Sequence, residues 1–361
     1  MNQAFLKEHY DYFIYTLADL QELQTRVNAG TESSGTRFLG GTTGYAGKKF
    51  KVMNDINMNN PAWTGIGTWT GTQSTSKYFA GVFDGGGHKL TNFSTVNNTS
   101  NAYYSGLFIY INGAKIRNFE ISGSYTITAN TQICIIAGVL FETCHISKIV
   151  SSVSVTNVNL ISLIGNLKSN QIIEDCYNFG NWTSTTYGTT AIVHAIVEAG
   201  GLINRCCNFC NISYTGSNTS GSGIVAGICA SYNNNYGTIT NCLNTGTLTT
   251  NRANFGCFGI SMGIANISKC YNKGNVEMNA TINSCGQIAG ISNTGGNNYY
   301  DSTLYAGAYG VYNGVAKTTA QLTDGSNLFS DTANWVYENG YYPRVNNWLK
   351  YDSRVLTALA V

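Results

Sequence analysis

The chain has 361 residues, of which 20 are basic and 18 acidic, and charged side chains make up only 11% of it. A net charge of +2 with no Lys/Arg cluster leaves no field to draw in nucleic acid or an anionic lipid surface, so neither is expected as a partner. Aromatics at 12%, with 24 Tyr, exclude a disordered chain, and no apolar run reaches the roughly 20 residues of a membrane span.

From the N-terminus, Thr16 and Asp19 stand at capping-box spacing ahead of an apolar stripe at Leu20, Leu23 and Val27, with Gly30 as a stop signal. This spacing predicts a helix that lids a core. Residues 46 to 83 then supply early strands, KKFKVMNDINM among them, and a Gly/Thr/Trp-rich stretch before FDGGGH.

An internal repeat follows. IIEDCYNFGNW (172 to 182), LINRCCNFCNI (202 to 212), TITNCLNTGTL (238 to 248) and NISKCYNKGNV (266 to 276) superpose without gaps, and weaker copies begin at residues 89, 115 and 145. The anchor aliphatics are Leu90, Ile116, Ile146, Ile173, Ile203, Ile239 and Ile267, spaced 26 to 36 residues apart. Between anchors lies a second apolar, Gly-bearing segment such as SGLFIYI, IAGVLF or GQIAGI. Short β-branched runs broken by Gly and Asn are strands, so each unit is one turn of a coil of parallel strands. In such a coil like residues lie about 4.8 Å apart, and longer units cost little because loop entropy grows slowly with length.

The motif I-x-x-C-x-N-x-G-x-V sharpens this. Ile239 and Cys242 cannot both face inward on an unbroken strand, so a left-handed corner at Asn241 is expected. Stacking then places Cys176, Cys206, Cys242 and Cys270 in one interior column and Asn178, Asn208, Asn244 and Asn272 in another.

Toward the C-terminus, KTTAQL (317 to 322) reads as a short helix and NWVYENGYYPRV (334 to 345) as strand, turn and strand, together sealing the far end of the coil. The expected fold is all-β: a parallel β-helix of about 7 to 9 turns with an N-terminal capping helix and a C-terminal cap. The segments are 1–45 (N-terminal segment and helix), 46–310 (β-helix) and 311–361 (cap and tail), in one domain.

TLADLQELQTRVNAG, FKVMNDINM, GVFDGGGHKLTNF, SGLF-x-YINGAKIRNFEI, the NC-x-N-x-G lines and the closing KTTAQLTDGSNLFSDTANWVYENGYYPRV together resemble repeat proteins with GLUG-type motifs. The resemblance spans roughly residues 14 to 345. It implies the right-handed, pectin-lyase-like β-helix of bacterial and protist surface proteins, most of which adhere or display instead of catalysing.

Chemistry is sparse. β-Helix enzymes that cut acidic polysaccharides need clustered carboxylates. Between residues 84 and 300 only Glu174 and Asp175 are adjacent, and strand neighbours point to opposite faces. Asp84-Gly85-Gly86-Gly87-His88 reads as a tight turn in which Asp84 bonds its own backbone. His9, His145 and His194 stand singly. Eleven cysteines include a crowded Cys206, Cys207 and Cys210, but parity sends Cys207 to the opposite face, so no metal or other cofactor is expected. The column cysteines read as small buried hydrophobes.

The expected function is therefore a noncatalytic surface protein for adhesion or display, offering a face to a glycan or a surface protein. Its candidate sugar-stacking aromatics are Tyr103, Tyr104, Trp182, Tyr187, Tyr214, Tyr232 and Tyr236. The alternatives are a spike or fibre subunit of a virion or cell-surface filament, with homo-oligomers, and a polysaccharide lyase or hydrolase. The start, MNQAFLKEHYDYF, shows no signal peptide, and the expected location is extracellular, on a cell or virion surface.

Overall fold

The computed structural model describes residues 9–33, 38, 43–59, 63–95, 104–126, 132–167, 170–196, 201–216, 223–231, 237–251, 255–263, 266–278, 285–290, 296–304 and 314–361. It is mostly β, a parallel β-solenoid with few short helices. Helix α1 (Leu17–Ala29) forms as its sequence dictates. Thr16 caps it, with its side chain accepting from the Asp19 N–H while Asp19 accepts from the Thr16 N–H, and Gly30 ends it at φ 69°. Leu20, Leu23 and Val27 recur on one stripe and are buried in the main core. Losing the Thr16 cap would cost about 1 kcal/mol.

One column fixes the register. Phe83, Ile116, Ile146, Ile173, Ile203, Ile239 and Ile267 pair in sequence through parallel strands, giving about six regular turns. Tyr12 and Phe50 continue the column on the N-terminal side. A second column runs Phe108, Ala137, Ile164, Val193, Cys229, Ser261 and Ala289, so each turn does contain the second apolar segment. The regular part is shorter than the seven to nine turns expected, because the outer rungs are short strands.

The first expected anchor is displaced. Leu90 pairs with Ile56 and Ile121, and Phe83 holds the place in line with Ile116. The three-glycine turn after Asp84 inserts two extra residues between strands Val82–Asp84 and Lys89–Thr91, relative to the single strand Lys115–Thr126 that pairs with both. The sequence copy is genuine but out of step.

The corner is a left-handed residue two positions after each anchor. Asn118, Lys148, Asp175, Arg205, Asn241 and Lys269 all have φ between 52° and 65°. Each such residue costs about 1 kcal/mol, least for Asn, and the turn of the coil is what holds it there. The corner also takes the next N–H out of the ladder, and cysteine resolves this. The Cys206 N–H donates to Cys242 Sγ at 3.3 Å and the Cys242 N–H to Cys270 Sγ at 3.4 Å. Each of the four thiols in turn donates to the carbonyl two residues back, at 3.2–3.5 Å. The cysteines are thus more than apolar filler; they satisfy the backbone of the corner.

Two residues on, the asparagines form a continuous chain. Asn178, Asn208, Asn244 and Asn272 are buried, and each Nδ2 donates to the next Oδ1 at 3.2, 2.7 and 2.7 Å, ending on Gln287 Oε1 at 2.7 Å. The second amide proton of Asn208, Asn244 and Asn272 goes to the carbonyl two residues ahead, at 2.8–2.9 Å. The glycine that ends the motif is required by close approach, since a Cβ at Gly246 would sit 1.6 Å from the Cys210 carbonyl oxygen.

The C-terminal segment departs from expectation. Its elements are as read: α2 (Thr319–Leu322) with a Thr318–Gln321 capping box, and antiparallel strands Trp335–Val336 and Arg344–Val345, followed by α3 (Ser353–Leu359). It does not sit as an end plug. Leu322, Phe329, Trp335, Tyr342, Val345, Leu349, Val355 and Leu359 pack on the outward column Val150, Tyr177, Cys207, Leu243 and Tyr271, so the segment runs back along the flank of the coil. Arg354 reaches Glu120 at 2.7 Å, Asn347 reaches Asp175 at 2.9 Å, and Tyr271 donates to the Pro343 carbonyl at 2.6 Å. The outward column is apolar and needs a cover, which the 3.6- and 2-residue patterns of the tail did not by themselves locate.

Candidate functional site

Of the seven aromatics expected to stack on sugars, the three with described side chains are structural. Trp182 and Tyr214 are 1% exposed and belong to the main core, with Trp182 Nε1 donating to the Val153 carbonyl at 3.0 Å. Trp182 is aligned with Val155 and Ile212, which places it on the inward parity. Tyr104 is 6% exposed, and its hydroxyl accepts from Asn166. These three offer no face to a ligand. Tyr103, Tyr232, Tyr236 and the Tyr187 side chain lie outside the described residues.

Glu174 and Asp175 do meet, contrary to the strand-parity argument, because Asp175 is the left-handed corner. Arg205, one turn on, holds Asp175 with Nε and Nη2, both at 2.8 Å, and Glu174 with Nη2 at 3.1 Å. His145, one turn back, lies 2.9 Å from Glu174 through Nε2, so this histidine is not solitary. Asn347 from the flank segment closes the group on Asp175. Both carboxylates are engaged by a guanidinium, which is the arrangement of a structural ion-pair cluster joining three turns and the C-terminal segment.

Asp84 is likewise tied down. It accepts from the Gly86 N–H at 2.9 Å, as the turn reading requires, and also from Tyr10 at 2.7 Å, Lys51 at 3.1 Å and Arg117 at 3.2 Å. Burial pushes its carboxyl up, but Tyr10, Gly86 and Lys51 outweigh this and hold it below the ordinary value. Cys206 and Cys210 lie in the main core and Cys207 under the flank segment, so the three thiols do not converge.

Two surfaces remain. One is a polar face that begins three residues after the asparagine chain in each turn. Asn181, Asn211, Thr247 and Asn275 form one column, tied by Asn211 N–H to Asn181 Oδ1 at 3.1 Å and Thr247 N–H to Asn211 Oδ1 at 2.9 Å. Thr156, Thr183, Ser213, Thr249 and Glu277 form a second, parallel to it. All nine are exposed or half-buried. The rung spacing sets hydroxyls and amides about 4.8 Å apart along the coil.

The other surface is aromatic and was not singled out from the sequence. On the strand Phe108–Asn112, Phe108 and Ile111 enter the core while Ile109 and Tyr110 face outward. Trp69, Tyr78 and Phe141, all half-buried, surround the Tyr110 ring at centroid distances of 5.2, 5.5 and 5.5 Å. Trp69 comes from an insertion closed by the antiparallel bridge Thr68–Lys77. The available signal is a Trp within the Gly/Thr/Trp-rich stretch before FDGGGH, to which the sequence alone assigns no role.

No family model and no curated protein matches the chain. Among solved structures it is similar to a putative immunoglobulin A1 protease from Bacteroides ovatus, at 15% identity and a TM-score of 0.53, over 92% of this chain and 91% of that one. At that identity the likeness shows the fold alone.

Proposed function

We propose that a β-solenoid of this kind is a noncatalytic surface protein for adhesion or display, presenting its polar face to a glycan or a protein. The observation that supports this is the pair of register-matched columns, Asn181–Asn211–Thr247–Asn275 and Thr156–Thr183–Ser213–Thr249–Glu277. Repeated donors and acceptors, uncharged except for Glu277, on a stacked scaffold suit a ligand that is itself repetitive, and rigidity lowers the entropic cost of binding it. The GLUG-type resemblance supports the same reading. The coil is taken as right-handed, since nearly all parallel crossovers are. The engagement of Glu174 and Asp175 by Arg205 weighs against a lyase or hydrolase.

The test is binding to glycan arrays and to intact cells by wild type and by Thr183→Lys and Thr249→Lys. Wild-type binding that falls at least tenfold in both variants, with unchanged melting temperature, supports the reading; no binding by wild type to either surface sinks it.

A second reading, a spike or fibre subunit, is favoured by one feature. Strand Val315–Lys317 pairs on one side with Tyr299–Asp301, and Val315 is 55% exposed. Negative-stain images of native material showing filaments or spikes would move the weight to it.

A further inference from the structure

We propose that the flank around Trp69 is a binding site for an uncharged pyranose ring, a subsite for neutral polysaccharide distinct from the polar face. This deepens the glycan-binding reading above and depends on it. The Trp69 and Phe141 ring centroids lie 5.6 Å apart with their planes at 33°, so the two half-buried rings partly overlap and form one aromatic patch. Tyr78 borders it, and Tyr110 lies fully buried beneath. Such a surface is complementary to the C–H face of a sugar ring, which is apolar on its face and polar at its edge.

Apolar area alone would fit many ligands. The polar atoms select among them. Asn112 lies two residues beyond Tyr110 on the same strand, hence on the same outward side, and is in register with Phe141. Its Oδ1 is buried with no hydrogen-bond partner, and Asn112 itself is 9% exposed. The Tyr110 hydroxyl, buried beneath the rings, meets the Gln73 side chain. A buried acceptor left unpaired is costly, and a ligand hydroxyl reaching it past the half-buried Phe141 ring would recover that cost. An aromatic patch with an unpaired amide oxygen in register with one of its rings calls for a ligand that carries hydroxyls around an apolar ring.

The hairpin that carries Trp69 is held in place beforehand. Thr70 Oγ1 lies 2.5 Å from Thr75 Oγ1, Ser76 Oγ accepts from the Thr70 N–H at 3.0 Å, and Thr68 and Lys77 exchange backbone hydrogen bonds at 2.7 and 3.1 Å. Its polar side chains from Thr70 to Ser76 are all uncharged, which favours a neutral sugar over an acidic one.

Affinity electrophoresis of the whole chain in gels containing soluble β-glucan, mannan or galactan, with pectate as the acidic counterpart, tests the site. Retardation is expected in at least one neutral gel, weakened at least tenfold by Trp69→Ala and largely kept by Trp69→Phe. Asn112→Leu supplies a second reading: removing the unpaired amide should raise the melting temperature or leave it unchanged, yet weaken retardation. No retardation in any neutral gel overturns the proposal, as does undiminished retardation in a folded Trp69→Ala together with Asn112→Leu. Retardation lost in Thr183→Lys and Thr249→Lys but kept in Trp69→Ala also overturns it, while leaving the display reading intact.

Discussion

Cys206 and Cys207 are neighbours in the chain but lie on opposite faces of one sheet. Cys206 is in the core, donating its N–H to Cys242 Sγ, and Cys207 is in the outward cluster covered by the C-terminal segment. The same strand therefore serves two cores, one inside the coil and one beneath the tail. This division determines how thiols, corners and the tail should respond to perturbation.

All eleven cysteines are buried, and none is joined in a disulfide. Burial raises the thiol pKa of Cys206 and Cys242 well above the ordinary value, and pushes Cys134 and Cys229 up to about 12. Because the thiolate is the nucleophile, a disulfide reagent at pH 8 should label almost none of them in the native protein and all of them after denaturation. Deleting residues 319–361 should expose Cys207 first, and peptide mapping of the labelled site reads this out. Early labelling of Cys206 instead would contradict the division into two cores.

The asparagine chain predicts a large effect from one amide. Asn244→Ala removes the acceptor of Asn208 and the donor to Asn272, leaving both partners buried. The expected loss is about 2–4 kcal/mol of stability. Asn275→Ala, in the exposed column nearby, should cost well under 1 kcal/mol. Urea unfolding of both variants makes the comparison.

The same replacement at two corners should act with opposite sign. Lys148 is exposed in the left-handed region, so Lys148→Asn should stabilise by about 0.5–1 kcal/mol. Arg205 has the same backbone but pairs with Asp175, which is 4% exposed. Arg205→Asn gains the same backbone relief yet leaves that carboxylate buried without its cation and with Asn347 as its remaining side-chain donor, a loss of about 3 kcal/mol that should dominate. Thermal unfolding of the two variants would show whether the corner or the ion pair decides.

The attachment of the tail should depend on acid. The Lys269 ammonium, 2.7 Å from Asp331, is the main reason its carboxyl is held down at about 2, below the ordinary 3.8. A lowered folded-state value means stabilisation that is complete above about pH 4 and lost as pH falls through about 2. Solvent screening at this surface ion pair keeps its contribution to about 1 kcal/mol or less. Lys269→Met should flatten the melting-temperature profile between pH 5 and pH 2, and an unchanged slope would show that Asp331 does not contribute it.

Much of the coil was legible before any coordinates. The gap-free lines from Ile173 to Ile267 gave the column, and the broken parity between Ile239 and Cys242 gave the left-handed corner at Asn241. Leu90 was misplaced because a motif match cannot tell that the Asp84–Gly87 turn has shifted one strand against the next. Trp182 and Tyr214 lie an even number of residues past the inward Cys176 and Cys206, so the parity of the repeat itself turns them inward, and only their nearness to the variable corners points to the surface.

What the sequence determined by itself is whatever recurs within one turn of about thirty residues, since stacking makes each turn repeat the same local choice of inward aliphatic, corner, thiol and amide. What only the tertiary structure decided is everything that joins residues far apart in the chain without a repeat. The tail folded back over Tyr177, Cys207 and Tyr271, the Arg205 group linking Glu174 to Asp175, and the aromatic shelf of Trp69, Tyr110 and Phe141 are of this kind. Periodicity carries no information about them, because each depends on one burial or one charge pairing formed once, where the coil happens to bring distant segments together.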